Sequence, residues 1–261
     1  MGRRLGQHFL KGTWAARTLV REAGITPEDT ILEIGPGKGA LTRELLQTGA
    51  HVIAIEKDTE LVNFLQKEFS QEIAGGLLHL VSGDIRSITP NTLGLRNGRY
   101  IVAANIPYYI TGEIMRLFLT ASVQPRTMAL LVQKEVAQRV ISKRESILSL
   151  SVKVYGVPHI AAKVTRGNFS PPPSVDSAIL IIERISRDFF SKIDEKDFFR
   201  LVRAGFSSKR KLLASNLANT EHSKDAVLSA FAKNNIPEKT RAEELSLETW
   251  LKLVATLSAE A

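Results

Sequence analysis

Cysteine is absent from this 261-residue chain. That excludes disulfides and any metal site built on thiolates. The five histidines, His8, His51, His79, His159 and His222, show no ligand spacing, so no metal is expected. Long apolar runs are missing too. No stretch approaches the roughly 20 residues needed to cross a bilayer, and the basic first residues lack the apolar centre of a secretion signal. Met1-Gly2 opens like a myristoylation signal, but Gly6 stands where that signal wants Ser or Thr. A cytoplasmic protein with no membrane partner is expected. There is no internal repeat and no low-complexity tract.

What is present suits a full-sized core. Hydrophobic residues make up 44% of the chain, enough for one large domain and a small appendix. Lys and Arg number 35 against 27 Asp and Glu, a formal net charge of +8. That excess fits a polyanionic partner, nucleic acid first, although charge alone is a non-specific signal.

From Thr30 to Gln133 strand-like and helix-like stretches alternate. Thr30–Ile34, His51–Glu56, Leu78–Val81, Tyr100–Ala104 and Thr127–Val132 read as strands; Ala40–Thr48, Thr59–Phe69 and Thr111–Ala121 read as helices. The alternation predicts an α/β fold with a mostly parallel, Rossmann-like sheet. Ser146–Val154 suits either a helix or a strand. Val175–Ile185 is β-rich behind the breaker Pro171-Pro172-Pro173, and two strands this late suggest an antiparallel edge. After Arg187 the texture turns helical, with helices expected over Asp197–Leu217, Ser223–Asn234 and Leu247–Ser258. Two domains follow: 1–186, carrying the sheet, and 187–261, small and all-helical.

Glu33-Ile34-Gly35-Pro36-Gly37-Lys38-Gly39-Ala40 lies between a strand and a helix. Glycines there let backbone approach a ligand at the carboxyl edge of a sheet. Glu56 ends the next strand, where a carboxylate can accept both hydroxyls of a ribose. To this point the pattern fits a dinucleotide equally well, because Gly35, Gly37 and Ala40 satisfy G-x-G-x-x-A. Asp84, after the third strand, tips the balance towards S-adenosylmethionine: it can accept from the adenine amine while Ile85 packs nearby. A strand-terminal Asp is also a common helix N-cap.

Asn105-Ile106-Pro107-Tyr108 follows the fourth strand. The 6-amino group of adenine is a poor nucleophile, because its lone pair is delocalised into the ring. The Asn105 side-chain oxygen and the Ile106 carbonyl can accept its two N–H bonds and aim the lone pair at a methyl donor. Pro107 fixes the backbone that presents the carbonyl. Tyr108 offers a face on which the base stacks.

These four residues resemble the N-(L/I)-P-Y motif of rRNA adenine methyltransferases, and the rest of the chain is similar to the KsgA family of small-subunit rRNA adenine dimethyltransferases. Gly6-Gln7-His8-Phe9-Leu10 resembles the family's GQNFL, and Gln133-Lys134-Glu135-Val136 its QKEV. Phe169–Ala178 resembles F-x-PPP-x-VDSA, and Arg241–Ser246 resembles RAE-x-LS. The motifs stand in order over essentially the whole chain. The resemblance implies dimethylation of two adjacent adenines near the 3′ end of small-subunit rRNA, with the adenines presented by an assembling pre-30S particle and the enzyme acting as a monomer. It implies that His8 and Leu10 join Gly35, Gly37, Glu56, Asp84 and Asn105 around the cofactor, and that Phe169 sandwiches the target base against Tyr108. His8 departs from the family Asn, and because an imidazole can gain a proton where an amide cannot, cofactor affinity is expected to vary with pH. Lys143–Ser149 departs from a Tyr-Gly found in relatives.

Arg200, Arg203, Ser207 and Arg210 are spaced to share one helix face, flanked by Lys209 and Lys211. Such a face is often only solvated; beside an RNA-modifying domain it is expected to contact phosphates. Arg3, Arg4, Lys11 and Arg17 add charge near the expected active-site mouth. Two alternatives keep the fold: an Erm-type enzyme of large-subunit rRNA, and a non-catalytic nucleic-acid-binding relative. The second should show an eroded cofactor site, yet Gly35, Gly37, Glu56, Asp84, Asn105 and Tyr108 are all present. A nicotinamide-dependent dehydrogenase leaves Asn105–Tyr108 unexplained.

Overall fold

The computed structural model describes residues 8–218 and 222–259. Gly6, Gln7, Arg3 and Arg4 lie outside them. The described chain forms two compact units. One takes the residues up to Gln138 together with Gly156–Ser186; the other takes Arg139–Tyr155 and the residues from Arg187 onward.

The first unit begins with β1 (Phe9–Leu10) and α1 (Trp14–Glu22). It continues through β2 (Thr30–Ile34), α2 (Ala40–Leu46), β3 (His51–Glu56), α3 (Thr59–Glu68), α4 (Ser70–Ala74) and β4 (Leu78–Ser82). Then come β5 (Tyr100–Asn105), α5 (Thr111–Leu119), β6 (Thr127–Gln133) and the start of α6 (Lys134–Ile141). In the second unit α7 (Ile147–Lys153) follows, before the chain returns to the first with β7 (Val157–Val164), β8 (Phe169–Ser170) and β9 (Ser177–Glu183).

Seven strands form one sheet in the order β4-β3-β2-β5-β6-β9-β7. The first five are parallel, and β9 pairs antiparallel with both β6 and the edge strand β7. The central strands read as largely apolar runs because both of their faces are buried. Ile31, Ile101, Ala103, Leu131 and Ile179 share one core with Leu19 of α1 and Leu45 of α2, while Leu32, Val102, Leu130 and Leu180 are buried on the alternate positions. From β2 the chain winds outward through β3 and β4, then crosses back to β5. The carboxyl ends of β2 and β5 therefore flank the switch point where such sheets bind ligands.

The antiparallel edge was expected, but its members differ. The edge strand is β7, not Ser146–Val154. That segment forms α7 because Ser146 and Ser149 close a capping box around its first turn, with Ser146 Oγ accepting from the Ser149 amide at 3.1 Å.

The second unit continues with α8 (Glu195–Gly205), α9 (Leu213–Leu217), α10 (Lys224–Lys233) and α11 (Leu247–Ala259). The single helix expected over Asp197–Leu217 is thus two. Asn216, buried within α9, donates to the Gly205 carbonyl at 2.6 Å and the Ser208 carbonyl at 3.0 Å, which caps α8 and turns the chain. The expected boundary at 186/187 is one crossing between units, with others at 138/139 and 155/156. Arg139–Tyr155 joins the helical unit through bonds of its own. The Glu145 amide donates to the Glu243 carbonyl at 2.9 Å, and the Tyr155 hydroxyl donates to Glu195 at 2.6 Å.

Candidate active site

A cleft opens at the carboxyl ends of β2, β3, β4 and β5. The Gly35–Gly39 loop forms its floor. Gly37 takes φ +61°, and a Cβ there would lie 3.0 Å from the Phe9 ring. Its amide donates to Glu56 Oε2 at 3.1 Å. The other Glu56 oxygen accepts from the amides of Lys57 and Asp58 at 2.8 and 2.9 Å. Three backbone donors fix this carboxylate, and a carboxylate has lone pairs beyond three for a diol.

Glu33, the last polar residue of β2, also lines the cleft. It is 1% exposed. Burial pushes its carboxyl up from 4.5 to about 8, and the nearby Glu56 adds to the rise. The Thr42 hydroxyl and amide face it and favour its ionised form, yet neither Glu33 Oε2 nor the Thr42 hydroxyl completes a hydrogen bond. A buried carboxylate oxygen without a partner, set beside a glycine loop, calls for a cationic ligand group. S-adenosylmethionine carries an ammonium and a sulfonium, so the residues present fit it.

Asp84 sits at the end of β4 with both oxygens engaged. Hydrogen bonds from the Arg86 side chain and amide, then from Lys57, hold it well below the usual carboxylate range. Arg86 Nη2 is 2.6 Å and Lys57 Nζ 3.0 Å from Oδ2. Asp84 also caps the turn Ile85–Ser87, so the capping role and a ligand role coexist. Both cations are largely exposed, and such pairs are weak against solvent. Exchanging one for an amine N–H is inexpensive.

Asn105 closes β5 next to this floor. Its Nδ2 donates to the His8 carbonyl at 3.0 Å. A carbonyl only accepts, so the amide cannot be flipped, and Oδ1 remains as an acceptor turned away from His8. The His8 ring donates from Nδ1 to the Pro171 carbonyl at 2.8 Å and lies 5.7 Å from the Tyr108 ring. Tyr108 is half-buried, and its hydroxyl pairs with Ser177 Oγ at 2.8 Å. The Pro107 carbonyl accepts from the Ile110 amide at 3.1 Å, which tightens the turn after the strand.

Every residue assigned to the cofactor from sequence lines this one cleft, as do Asn105, Ile106, Pro107 and Tyr108. Phe169 does not. It is 1% exposed and packs in the sheet core, paired with Leu10 in the short β1–β8 ladder. Its geometry is that of a core aromatic beside a proline turn. Sequence reasoning missed Glu33, Lys57, Arg86 and Tyr109, all of which line the cleft. A carboxylate inside the apolar run Thr30–Ile34 was the available signal for Glu33. Among the described residues no cluster of metal-binding side chains occurs, and no helix is long and apolar enough to cross a membrane.

Arg200, Arg203, Lys209, Arg210 and Lys211 are exposed in the second unit. They do not share one helix face. Arg200 and Arg203 lie on α8, with Arg200 paired to Asp197 at 2.9 Å, whereas Lys209, Arg210 and Lys211 lie in the turn before α9. Lys209 and Lys211 line a second cleft of about 400 Å³ with Arg139 and Arg241.

The model of the family described as ribosomal RNA adenine dimethylase matches residues 2–259. The chain is 40% identical over 252 residues to the ribosomal RNA small subunit methyltransferase A of Dehalococcoides mccartyi, covering 95% of this chain and 86% of that one. It is 34% identical over 253 residues to the protein of the same name from Clostridium botulinum, covering 95% and 91%. Among solved structures, a dimethyladenosine transferase from Plasmodium falciparum superposes with a TM-score of 0.80 at 25% identity, covering 94% of this chain and 96% of that one. The 23S rRNA methyltransferase ErmE does so with a TM-score of 0.77 at 24% identity, covering 96% and 99%. At that last identity the likeness speaks for the fold.

Proposed function

The chain belongs to the ribosomal RNA adenine dimethylase family, and on that premise we propose that it dimethylates the 6-amino groups of two adjacent adenines near the 3′ end of small-subunit rRNA. The cofactor is S-adenosylmethionine. The names of the two bacterial relatives support the small subunit as substrate.

One observation carries the chemistry. Asn105 is pinned through its Nδ2 by the His8 carbonyl, so its Oδ1 stands as a fixed acceptor beside Pro107 and Tyr108. Asn105 Oδ1 and the Ile106 carbonyl accept the two N–H bonds of the target amine, which draws its lone pair out of the ring. An acceptor set in place beforehand needs no reorganisation when charge develops. The Tyr108 ring, held by Ser177, supplies a face for the base. For the second methyl the same acceptors take an amine with one N–H left. Gly35, Gly37, Glu56, Asp84 and Ile85, with His8 and Leu10, hold the cofactor, and Glu33 answers its positive charge. When bound, the cofactor supplies an electrophilic methyl group.

In this reading Arg200, Arg203, Lys209, Arg210 and Lys211 contact rRNA phosphates, which positions the substrate without reading its sequence. An adenine within a folded particle must be splayed out to reach the cleft, so an assembling pre-30S particle in the cytoplasm is the substrate, and the enzyme acts as a monomer. The test is methyl transfer from labelled S-adenosylmethionine to small-subunit particles lacking the modification, with large subunits in parallel and the modified base mapped. Dimethyladenosine near the small-subunit 3′ end is the expected result. Label in large-subunit RNA, or transfer to neither from protein that binds the cofactor, overturns it.

A further inference from the structure

Tyr108 and Tyr109 are consecutive in one 3-10 turn, Tyr108–Ile110, and the turn sends them apart. Three residues per turn places neighbouring side chains about 120° apart. Tyr108 is tied inward by Ser177. Tyr109 lines the cleft yet is 74% exposed. A large flat ring is thereby left in water at the lip of a reactive site. Cations stand at the same cleft: Lys38, Lys57 and Arg86 line it, the last two bridged by Asp84, and Arg86 lies close enough to the Tyr109 hydroxyl to interact with it electrostatically. An open π-face beside cations is the pairing that single-stranded nucleic acid uses, with bases stacking and phosphates neutralised.

A strand that delivers one base to Tyr108 must pass this lip with the next. We propose that Tyr109 is a positioning residue that stacks on the nucleobase adjacent to the target adenine. The proposal rests on the rRNA-adenine reading above. Because the two substrate adenines are neighbours, Tyr109 holds one of them while the other occupies the cleft. The ring face does the work, and the hydroxyl is dispensable.

The experiment compares wild type with Tyr109→Phe, Tyr109→Leu and Tyr109→Ala on unmodified small-subunit particles. Cofactor affinity is measured by calorimetry on each. Tyr109→Phe should match wild type. Tyr109→Leu, which keeps apolar bulk without an aromatic face, and Tyr109→Ala should lose kcat/KM on the order of ten-fold, chiefly through KM, with cofactor affinity unchanged. A short RNA carrying 2-aminopurine beside the target adenine should be quenched on binding to wild type and Tyr109→Phe, and not on binding to Tyr109→Leu. Equal kcat/KM and equal quenching for wild type and Tyr109→Leu overturn the proposal while leaving the enzyme's function intact. Wild type that transfers no methyl to small subunits overturns the parent reading and this one with it.

Discussion

Glu33→Gln should stabilise the cofactor-free protein, and more so as the pH rises. Burial raises the Glu33 carboxyl from 4.5 to about 8. Between those values the folded protein holds a proton that the unfolded chain has released. Stability from this group is therefore full below about pH 4.5 and is lost as pH rises through about 8. Each pH unit in that window is worth about 1.4 kcal/mol. The cumulative loss is on the order of 3 kcal/mol at pH 7 and 5 kcal/mol at pH 8. Glutamine has the same shape and no charge, so it carries no such slope. Urea unfolding followed by circular dichroism, from pH 5 to 8, should show the variant pulling ahead of wild type by about that amount. In melting temperature this is roughly 10 °C at pH 7, taking 2–4 °C per kcal/mol for a chain of this size. Saturating S-adenosylhomocysteine should shrink the wild-type slope, because its ammonium answers the ionised carboxylate. Parallel pH profiles for the two cofactor-free proteins would refute the reasoning, since they would mean that Glu33 is solvated or ionised in the folded state.

Asn105→Ala should lower kcat on the order of 100-fold or more by removing a preorganised acceptor, as measured by single-turnover methyl transfer with fold checked by circular dichroism. Reversing Arg203 and Arg210 to Glu should weaken rRNA binding and flatten its salt dependence while cofactor affinity holds; loss of both affinities together would mean misfolding. Gly205→Ala should destabilise the helical unit by about 1–3 kcal/mol, because the added Cβ would meet the Trp250 ring at 2.6 Å and Leu213 at 2.8 Å. The fluorescence of buried Trp250 during urea unfolding reads that loss directly, and an unchanged midpoint would count against the close packing.

The parallel part of the sheet was legible because its signals are local. β2, β3, β5 and β6 are largely apolar runs, and the glycines, Glu56 and Asn105 stand at the ends of β2, β3 and β5, with Asp84 just beyond β4. β7 was not legible. It is a half-exposed edge strand with Pro158 near its start and a bulge between Ile160 and Ala162, so neither alternation nor a buried run marks it. The break between α8 and α9 depends on a side chain eleven residues further on, which helical spacing does not register. The site divides the same way. His8 and Leu10 reach the cleft only because β1 pairs with β8, and motif resemblance alone brought them forward. Resemblance also placed Phe169 at the base, whereas its ring is buried in the sheet core. Glu33 went unremarked because its importance lies in what it lacks, a partner in a buried place.

Because the helical unit draws residues from two stretches of sequence, it is not a tail that can be cut off or transplanted. A fragment starting at Arg187 would leave behind α7, Glu145, whose amide donates to the Glu243 carbonyl, and Tyr155, whose ring lies 5.3 Å from that of Phe190 and 6.4 Å from that of Phe199. Those faces would open to water. Grafting studies that exchange helical units between relatives must therefore carry Arg139–Tyr155 along, and a chimera spliced once, at 186/187, joins a unit from one parent to a missing piece of itself from the other.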